Sequence, residues 1–296
     1  MTLNGSGSSF PRAVANGVSK IIASASFRGK IRLANLVGGV AGRLTPEADC
    51  QPVPGACVTV SLNDRIGRMM WAGCYERELL TILRHMLTPG MAFVDVGAQI
   101  GYFSMAAAAL VGRSGAVYSF EPDSECFSRL SWNSRAYPWV KVYNAAVADF
   151  TGQTAFYRTP RRSESGWGTM FDANESREKI SVRVLTLDNQ MEALAVASIG
   201  FIKIDVEGAE CRVLEGARAT ITRTRPMIWV EANDVCLSRD GRSIPSLLGL
   251  LADLNYTANG LYDRRSRSFE NVVAIPRERL DLVEKIRRLK INLRAV

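Results

Sequence analysis

The chain has 296 residues, 47% of them hydrophobic, and a formal net charge of +8. It is long enough for one large α/β domain with additional segments or for two small domains, and no run reaches the roughly eighteen apolar residues of a membrane span. The N-terminus has no apolar signal-peptide core followed by a cleavage site, and six scattered cysteines with a single histidine indicate neither a disulfide framework nor a zinc cluster. We therefore expect a cytoplasmic protein.

The positive charge is concentrated at the two ends of the chain. Residues 1–46 contain six basic side chains and no acidic one, and the tail from Arg277 onward contains seven basic and three acidic side chains. Such a bias attracts phosphate-bearing partners or a membrane surface, although solvated faces would carry the same charges. We leave a peripheral membrane contact through the termini open, and we expect no nucleic acid partner because no RNA-binding module is recognisable.

Two segments precede the main domain. Residues 1–56 are predicted to form a basic, partly ordered segment with one short helix around Ser19 to Leu36. Residues 57–90 contain an alternating strand that starts at Cys57 and a helix from Tyr75 to Leu87, in which apolar residues recur at helical spacing. We interpret this second segment as a candidate lid over the main domain.

Short apolar strands alternate with helices from residue 91 to residue 276. The predicted strands are AFVDVG, AVYSFE, VKVYNAAV, SVRVLTLD, IGFIKID, MIWVEA, YTANGLY and NVVAI. The predicted helices are Gly101 to Val111, Ser124 to Ala136, Ala209 to Ile221 and Ile244 to Leu254. Strands without polar alternation are typical of a mostly parallel sheet covered by helices on both sides, and the last two strands, joined by a short turn, indicate a hairpin with one antiparallel strand. The sequence therefore predicts a doubly wound α/β fold.

Residues 277–296 show apolar side chains at helical spacing with basic residues opposite them. This amphipathic pattern predicts a C-terminal helix over Arg277 to Leu293. The helix would pack on the domain or on the second subunit of a homodimer, and a helix lying on a membrane surface is the alternative.

The segment FVDVGAQIGYFS joins a buried strand to a helix through Gly97 and Gly101. Glycines allow the backbone to approach a ligand closely, and the N–H groups at the start of a helix can bind a negative group. The next strand ends in FEPD, which places Glu121 where an acidic side chain receives the ribose hydroxyls in doubly wound folds. Together these features predict a nucleoside-binding site.

The turn favours S-adenosylmethionine as the nucleoside. The dinucleotide fingerprint G-x-G-x-x-G is incomplete, because Gln99 occupies the position of its second glycine. Asp95, two residues before Gly97, would repel a pyrophosphate but could hold, directly or through water, the ammonium of a methionine-like tail. An NAD-dependent oxidoreductase and a non-catalytic nucleoside-binding scaffold protein remain as alternative functions.

Several motifs follow one another at compatible distances: GCYERELL, TPGMAFVDVGAQIGYFS, SFEPD, NAAV, VLTLD, FIKIDVEGAE, VLEGA and VEA. With these motifs, residues from about Val58 to Ile275 resemble the FkbM-type family of S-adenosylmethionine-dependent methyltransferases. The resemblance implies a class I methyltransferase fold, with a seven-stranded sheet that ends in a reversed hairpin strand. It also implies O-methylation of a hydroxyl on a sugar, a glycolipid or a polyketide-like natural product.

The resemblance also implies which residues hold the cofactor. Glu121 resembles the ribose ligand, and Asn144 to Ala146 resemble the loop beside the adenine. Gln99 is a departure, because family members often have Asn there, although the amide is kept on a longer stem. The residues assigned to the cofactor are Asp95, Gly97, Gln99, Gly101, Tyr102, Glu121, Asn144, Ala145, Ala146 and Asp205.

Methyl transfer to a hydroxyl requires a base at the carboxyl edge of the sheet, where the strand FIKID ends. Asp205 is the first candidate and Glu207 the second, and Lys203 would stabilise the developing alkoxide. Structural roles remain open for each of them: Lys203 would equally well pair with Asp205 or Glu207, and Glu207 would cap the following helix. Glu231, at the end of the next strand, is a further acidic group for the pocket, with a salt bridge as its alternative role.

Three residues are assigned to the acceptor. The irregular stretch from Thr159 to Asp172 is long enough for a functional loop, in which Trp167 would cover an acceptor and Arg161 would bind an acidic one. Tyr75 would belong to the lid. An insertion without a ligand role is the alternative for the loop.

A metal-assisted mechanism is a minor alternative, and the main prediction contains no metal ion. Asp205, Asn233 and Asp234 would supply oxygen ligands at the ends of adjacent strands. Mg²⁺ could use such a set to orient a diol.

Overall fold

The computed structural model describes residues 9–25, 27, 29–158, 168–171, 178–263, 268–289 and 291–296. The chain begins with two helices, α1 (Ser9–Ser24) and α2 (Lys30–Leu44). The prediction of a single helix around Ser19 to Leu36 is wrong. Gly29, which precedes α2, has a left-handed backbone with φ of 89°, and this conformation separates the two helices.

A strand pair and two further helices lead into the main domain. Strands β1 (Glu47–Cys50) and β2 (Val58–Ser61) pair antiparallel, and α3 (Arg65–Trp71) and α4 (Arg77–Met86) follow. The strand predicted from Cys57 and the helix predicted from Tyr75 to Leu87 correspond to β2 and α4. The side chains that α4 buries are Leu79, Leu80, Ile82, Leu83 and Met86.

The main domain then alternates strands and helices. Its first half contains β3 (Ala92–Val96), α5 (Tyr102–Val111), β4 (Ala116–Phe120), α6 (Ser124–Ser134), β5 (Val140–Tyr143), β6 (Ala146–Val147), β7 (Gly152–Arg158) and β8 (Glu178–Leu185). Its second half contains α7 (Leu187–Ala193), β9 (Phe201–Ile204), α8 (Glu210–Glu215), α9 (Arg218–Thr224), β10 (Met227–Glu231), α10 (Asp234–Leu237), a 3-10 turn at Ser238–Asp240, α11 (Ile244–Asp253), β11 (Tyr256–Asp263), β12 (Ser268–Pro276), α12 (Leu280–Arg287) and β13 (Leu293–Ala295).

An eight-stranded sheet organises this domain, in the order β13, β11, β12, β10, β9, β3, β4 and β5. The five strands from β10 to β5 run parallel, and β12, β11 and β13 complete the sheet through antiparallel pairs. This arrangement confirms the predicted α/β class, a mostly parallel sheet with a reversed C-terminal hairpin strand. The predicted count of seven strands is wrong by one, because β13 pairs with the edge of β11.

Three other segments differ from the prediction. The strand predicted over VKVYNAAV divides into β5 and β6, and β6 joins β8 and β7 in a separate three-stranded sheet. The helix predicted over Ala209 to Ile221 divides into α8 and α9 at Gly216, where a Cβ would clash with the carbonyl oxygen of Ala148. The C-terminal helix is shorter than predicted and ends at Arg287, because residues 293–295 pair with β11 as a strand.

Apolar side chains cover both faces of the large sheet. Neighbouring residues of one strand, such as Phe93 and Val94 of β3, belong to two different core clusters on opposite faces. The cluster around Phe93 also includes buried residues of α1 to α4, so the N-terminal helices are packed on this face. Within the described ranges, no helix combines the length and the apolar character needed to cross a bilayer.

Candidate active site

A cavity of about 1350 Å³ lies at the carboxyl ends of the parallel strands. Its lining includes the turn after β3, Glu121 after β4, Asp205 after β9 and Glu231 at the end of β10. The carboxyl ends of parallel strands meet at one edge of a sheet. Motifs that are far apart in the sequence therefore lie together in one place.

The turn between β3 and α5 presents backbone to the cavity. Gly97 has φ of 79°, and a Cβ at this position would clash with the carbonyl oxygen of Asp205. Gly101, with φ of 87°, precedes α5, whose first turn receives no cap from a described side chain. The cavity wall thus combines a glycine turn with an uncapped helix N-terminus, which suits a ligand that carries a carboxylate.

Glu121 is buried at the end of β4, where it accepts two backbone hydrogen bonds. The N–H of Gln99 donates to Oε2 at 2.8 Å, and the N–H of Asp123 donates to Oε1 at 2.9 Å. Burial raises the pKa of Glu121 to about 7, although both hydrogen bonds favour the carboxylate. The carboxylate has further lone pairs with which it can accept hydrogen bonds from ribose hydroxyls.

The segment from Asn144 to Ala146 forms the wall next to Glu121. The side-chain amide of Asn144 donates to the carbonyl oxygens of Glu121 and Pro122, at 2.9 and 3.0 Å. Asn144 therefore fixes the backbone at the end of β4, while the small side chains of Ala145 and Ala146 line the cavity. This wall lies where the prediction puts the adenine.

Asp95 has a different partner from the predicted one. Its carboxylate is fully buried beneath the turn and is absent from the cavity lining. Oδ2 accepts a hydrogen bond of 2.6 Å from the Ser104 hydroxyl, and Oδ1 lies 3.3 Å from Nζ of Lys203. Lys203 and Ser104 therefore occupy two sides of Asp95, and its predicted contact with a methionine-like ammonium, directly or through water, stays a prediction.

Lys203 is buried between two carboxylates, with a side chain that is 2% exposed. The register of β3 and β9 places it beside Asp95, and Nζ also donates to the carbonyl oxygen of Gly97 at 3.1 Å and lies 3.4 Å from Oδ2 of Asp205. Burial opposes the charge, but Asp205, Asp95 and Glu76 raise the pKa of Lys203 above its usual value. The structural pairing with Asp205 that the sequence left open is therefore present.

Two further carboxyl groups lie close to Asp205. Glu76 precedes α4 with φ of 36°, and Glu231 ends β10; Oε2 of each is buried and has no hydrogen-bond partner among the described residues. Burial, reinforced by the charge of Asp205, raises the pKa of Glu76 to about 8 and that of Glu231 to about 10. Both groups are thus mainly protonated at neutral pH, and the predicted alternative of a salt bridge for Glu231 is not found with any described residue.

Glu207 lines the cavity but does not cap α8. The thiol of Cys236 lies 3.3 Å from Oε2 of Glu207, and α8 begins three residues further on, at Glu210. The carboxylate of Glu210 accepts hydrogen bonds of 3.1 Å from the N–H groups of Val206 and Gly208. These N–H groups belong to the turn before α8, so Glu210 holds that turn, and no described side chain caps the first N–H groups of α8.

The oxygen atoms proposed as Mg²⁺ ligands are used elsewhere. The side-chain oxygen of Asn233 accepts from the first N–H groups of α10, and Oδ1 of Asp234 accepts from the first N–H of α11. Among the residues that the structure describes, Glu207, Glu231 and Cys236 have potential ligand atoms within 4.8 Å of one another. The Mg²⁺ set of Asp205, Asn233 and Asp234 stays a minor alternative of the sequence prediction.

Of the residues assigned to the acceptor, Tyr75 lies in the cavity lining, where its ring packs edge-on against Tyr102 at 5.7 Å. Burial raises the pKa of Tyr75 well above its usual value, so the phenol remains protonated. The hydroxyl of Tyr102 is buried without a hydrogen-bond partner in the described structure. Trp167 and Arg161 lie outside the described residues.

Many residues of the cavity lining were not predicted, and Glu76 and Arg158 are two charged examples. Glu76 belongs to the motif GCYERELL, so the sequence marked its segment as part of the family resemblance. Its position near Asp205, however, depends on how α4 packs. Arg158, at the end of β7, lines the cavity and forms ion pairs with Asp123, Glu125 and Glu178 at 3.4, 3.1 and 2.8 Å. No local pattern marks Arg158, because its partners lie in distant segments.

Residues 95–258 match the family model of the methyltransferase FkbM domain, and the match covers more than half of the chain. The chain belongs to this family. Its membership confirms the resemblance that the motifs indicated and makes the chain an S-adenosylmethionine-dependent O-methyltransferase with a class I methyltransferase fold. The nucleoside is therefore S-adenosylmethionine, and the NAD alternative is set aside.

The chain is similar to several named methyltransferases. It is 27% identical over 203 residues to the 2-O-methyltransferase NoeI of Sinorhizobium fredii, covering 62% of this chain and 79% of NoeI. It is 32% identical over 193 residues to the 31-O-demethyl-FK506 methyltransferase FkbM of Streptomyces tacrolimicus, covering 54% of this chain and 74% of that protein. It is 25% identical over 142 residues to the hexuronic acid methyltransferase AglP of Haloferax volcanii, covering 48% of this chain and 56% of AglP.

The cavity fits S-adenosylmethionine in the FkbM domain of this chain. The turn at Gly97, where any side chain would clash with backbone, together with the N-terminus of α5, would hold the methionine part. Glu121 would accept the ribose hydroxyls, and Ala145 and Ala146 would face the base. Asp205, Glu76 and Glu231 line the same cavity.

Proposed function

We propose that the protein methylates a hydroxyl of a sugar, a glycolipid or a polyketide-like natural product, with Asp205 as the general base. The observation that carries this proposal is the contrast between three neighbouring carboxyl groups. Burial raises the pKa of Glu76 to about 8 and that of Glu231 to about 10, while Asp205 faces the cavity beside the Lys203 ammonium. Carboxyl groups whose environments differ in this way are suited to different roles in proton transfer.

When bound, S-adenosylmethionine supplies an electrophilic methyl group. The contribution of the protein is to orient the acceptor hydroxyl and to take its proton. Asp205 is 26% exposed, so an acceptor can reach its carboxylate, and the Lys203 ammonium 3.4 Å from Oδ2 holds that carboxylate in place. Glu207, which also lines the cavity, is the second candidate for the base.

The protonated carboxyl groups favour an acceptor with several hydroxyls. At neutral pH, Glu76 and Glu231 can each donate one hydrogen bond and accept others, and their buried Oε2 atoms have no partner among the described residues. Hydroxyl oxygens of a sugar or of a hydroxylated polyketide can satisfy such groups, whereas an apolar acceptor would leave them unpaired. The names of the relatives, a 2-O-methyltransferase and a 31-O-demethyl-FK506 methyltransferase, support the same class of acceptor.

The test is methyl transfer from labelled S-adenosylmethionine to a panel of acceptors: neutral oligosaccharides, a hydroxylated macrolide and a hexuronic acid. We expect turnover with a neutral hydroxylated acceptor, and we expect Asp205→Asn to lower kcat by about 10²-fold to 10⁴-fold. Asp205→Asn should still bind S-adenosylhomocysteine, because the glycine turn, Glu121 and the adenine wall are unchanged. Binding without turnover of any acceptor would favour the scaffold alternative.

Glu207→Gln serves as the matched comparison for the base. Both carboxylates line the cavity, but Asp205 faces Lys203 and Glu207 faces the thiol of Cys236. We expect Glu207→Gln to retain most of kcat. If Asp205→Asn keeps full turnover while Glu207→Gln loses it, the base is Glu207 and the assignment to Asp205 is refuted.

A further inference from the structure

The two N-terminal helices carry a large apolar surface that faces solvent. Twelve large apolar side chains are exposed in the part of the chain that the structure describes, and eight of them lie between residues 14 and 44. Those eight are Val14, Ile21, Phe27, Ile31, Leu33, Leu36, Val40 and Leu44. Single exposed apolar residues are normal on soluble proteins, but eight of them within residues 14–44 indicate an interaction surface.

Six of the eight side chains form stripes along the two helices, whereas Phe27 lies between the helices and Ile31 lies on another side of α2. In α2, Leu33, Leu36, Val40 and Leu44 follow one another at intervals of three or four residues, so they form one stripe. Leu36 is 68% exposed and Leu44 is 73% exposed. In α1, Val14 and Ile21 are seven residues apart, and Ile21 is 71% exposed. We call this surface the N-terminal apolar face, defined by Val14 and Ile21 of α1 and by the stripe of α2.

The buried sides of the same helices are already occupied. Ala15 and Ile22 of α1, and Ala34 of α2, belong to the core of the main domain. Gly38 of α2 lies against the side chain of Arg68 in α3. Packing on the domain therefore accounts for one side of each helix and leaves the N-terminal apolar face without a partner among the described residues.

The charged side chains of the two helices themselves have a single sign. Residues 1–46 contain six basic side chains and no acidic one. Arg12 pairs with Asp49, and Lys30 is buried and donates to the carbonyl oxygen of Ala23, so these two are used within the fold. Three others, Lys20, Arg32 and Arg43, are exposed beside the apolar stripes.

We propose that the N-terminal apolar face docks on the surface of a bilayer that contains anionic phospholipids. Apolar side chains flanked by Lys and Arg, without acidic residues, are the combination that binds the interface of such a membrane. A second copy of the chain fits less well, because a symmetric contact would bring Lys20, Arg32 and Arg43 close to their own counterparts. Helix α1 also contributes Arg12 to the cavity lining, so docking brings one wall of the cavity close to lipid.

The proposal is tested by sedimentation of the full chain with vesicles in 0.1 M salt. We expect binding to vesicles of equal parts phosphatidylglycerol and phosphatidylcholine, and at least about tenfold weaker binding to pure phosphatidylcholine. Leu36→Glu/Val40→Glu should abolish binding, and Arg32→Glu/Arg43→Glu should weaken it by at least about tenfold. Phe150→Glu, which places one negative charge at an exposed apolar residue outside the face, should bind like the unmodified protein.

Every changed side chain is exposed, so the fold should be retained, and binding of S-adenosylhomocysteine by each variant checks this. If the unmodified protein does not bind anionic vesicles, or if Leu36→Glu/Val40→Glu binds them equally well, the proposal is overturned. Light scattering after size exclusion is the second measurement. A dimer that Leu36→Glu/Val40→Glu converts to a monomer would assign the face to a second copy of the chain and would also overturn the proposal.

Discussion

Replacing Lys203 with Met should destabilise the folded protein by about 3–5 kcal/mol, because it leaves a buried charge without its partner. Lys203 is 2% exposed and Asp95 is 1% exposed, and their charged atoms are 3.3 Å apart. Methionine has a similar length and fits an apolar environment, so packing changes little. The Ser104 hydroxyl would remain as a hydrogen-bond donor to Asp95, but it cannot replace a positive charge.

Urea unfolding followed by far-UV circular dichroism measures this loss of stability. Lys285→Met removes an exposed lysine and should change the free energy of unfolding by less than about 0.5 kcal/mol. The double variant Asp95→Asn/Lys203→Met removes both charges and should be more stable than Lys203→Met alone. If Lys203→Met costs less than about 1 kcal/mol at pH 8, or if the two substitutions are additive, the buried ion pair does not stabilise the turn as we infer.

Three further predictions concern the cavity. Glu121→Gln should weaken binding of S-adenosylhomocysteine by about 1.5–3 kcal/mol. The affinity of the unmodified protein for S-adenosylhomocysteine should fall below pH 7, where Glu121 is protonated. Titration calorimetry measures both effects. Gly97→Ala should cost more stability than Gly112→Ala in the same urea assay. Gly112→Ala is expected to cost about 1–3 kcal/mol, because φ of 64° with ψ of −173° is a conformation that essentially only glycine adopts. The pH profile of kcat/KM should fall above about pH 8 as Glu76 ionises beside Asp205, and Glu76→Gln should remove that fall.

The nucleoside end of the site could be predicted because its requirements are local. A turn in which the backbone must approach a ligand selects glycine, and the observed φ values of Gly97 and Gly101 show that both positions need it. Glu121 was predictable for a similar reason, since the end of the second strand of a doubly wound sheet lies beside the end of the first. Strand spacing and sequence order were sufficient for these residues.

The partners of Asp95 could not be predicted in the same way. Its position two residues before Gly97 suggested a contact with the ligand, but the register of β3 against β9 puts Lys203 directly beside it. That register is set by the order of strands in the folded sheet. The same limit applies to Glu76, whose place near Asp205 depends on the packing of α4 against α5, and to Arg158, which belongs to the small sheet.

The charged residues of FIKIDVEGAE show where the alternation of a strand no longer predicts the direction in which a side chain points. A period of two would place Lys203, Asp205 and Glu207 on one face, yet β9 ends one residue before Asp205. Glu207 has φ of 57° and Gly208 has φ of 117°, and a Cβ at Gly208 would clash with a backbone carbonyl of α10. The backbone therefore turns away from strand geometry within this motif. Lys203 therefore lies in the core as a fixed cation, Asp205 lies at the cavity, and Glu207 lies beside the thiol of Cys236. Three charged residues that look equivalent in the sequence thus have three different environments.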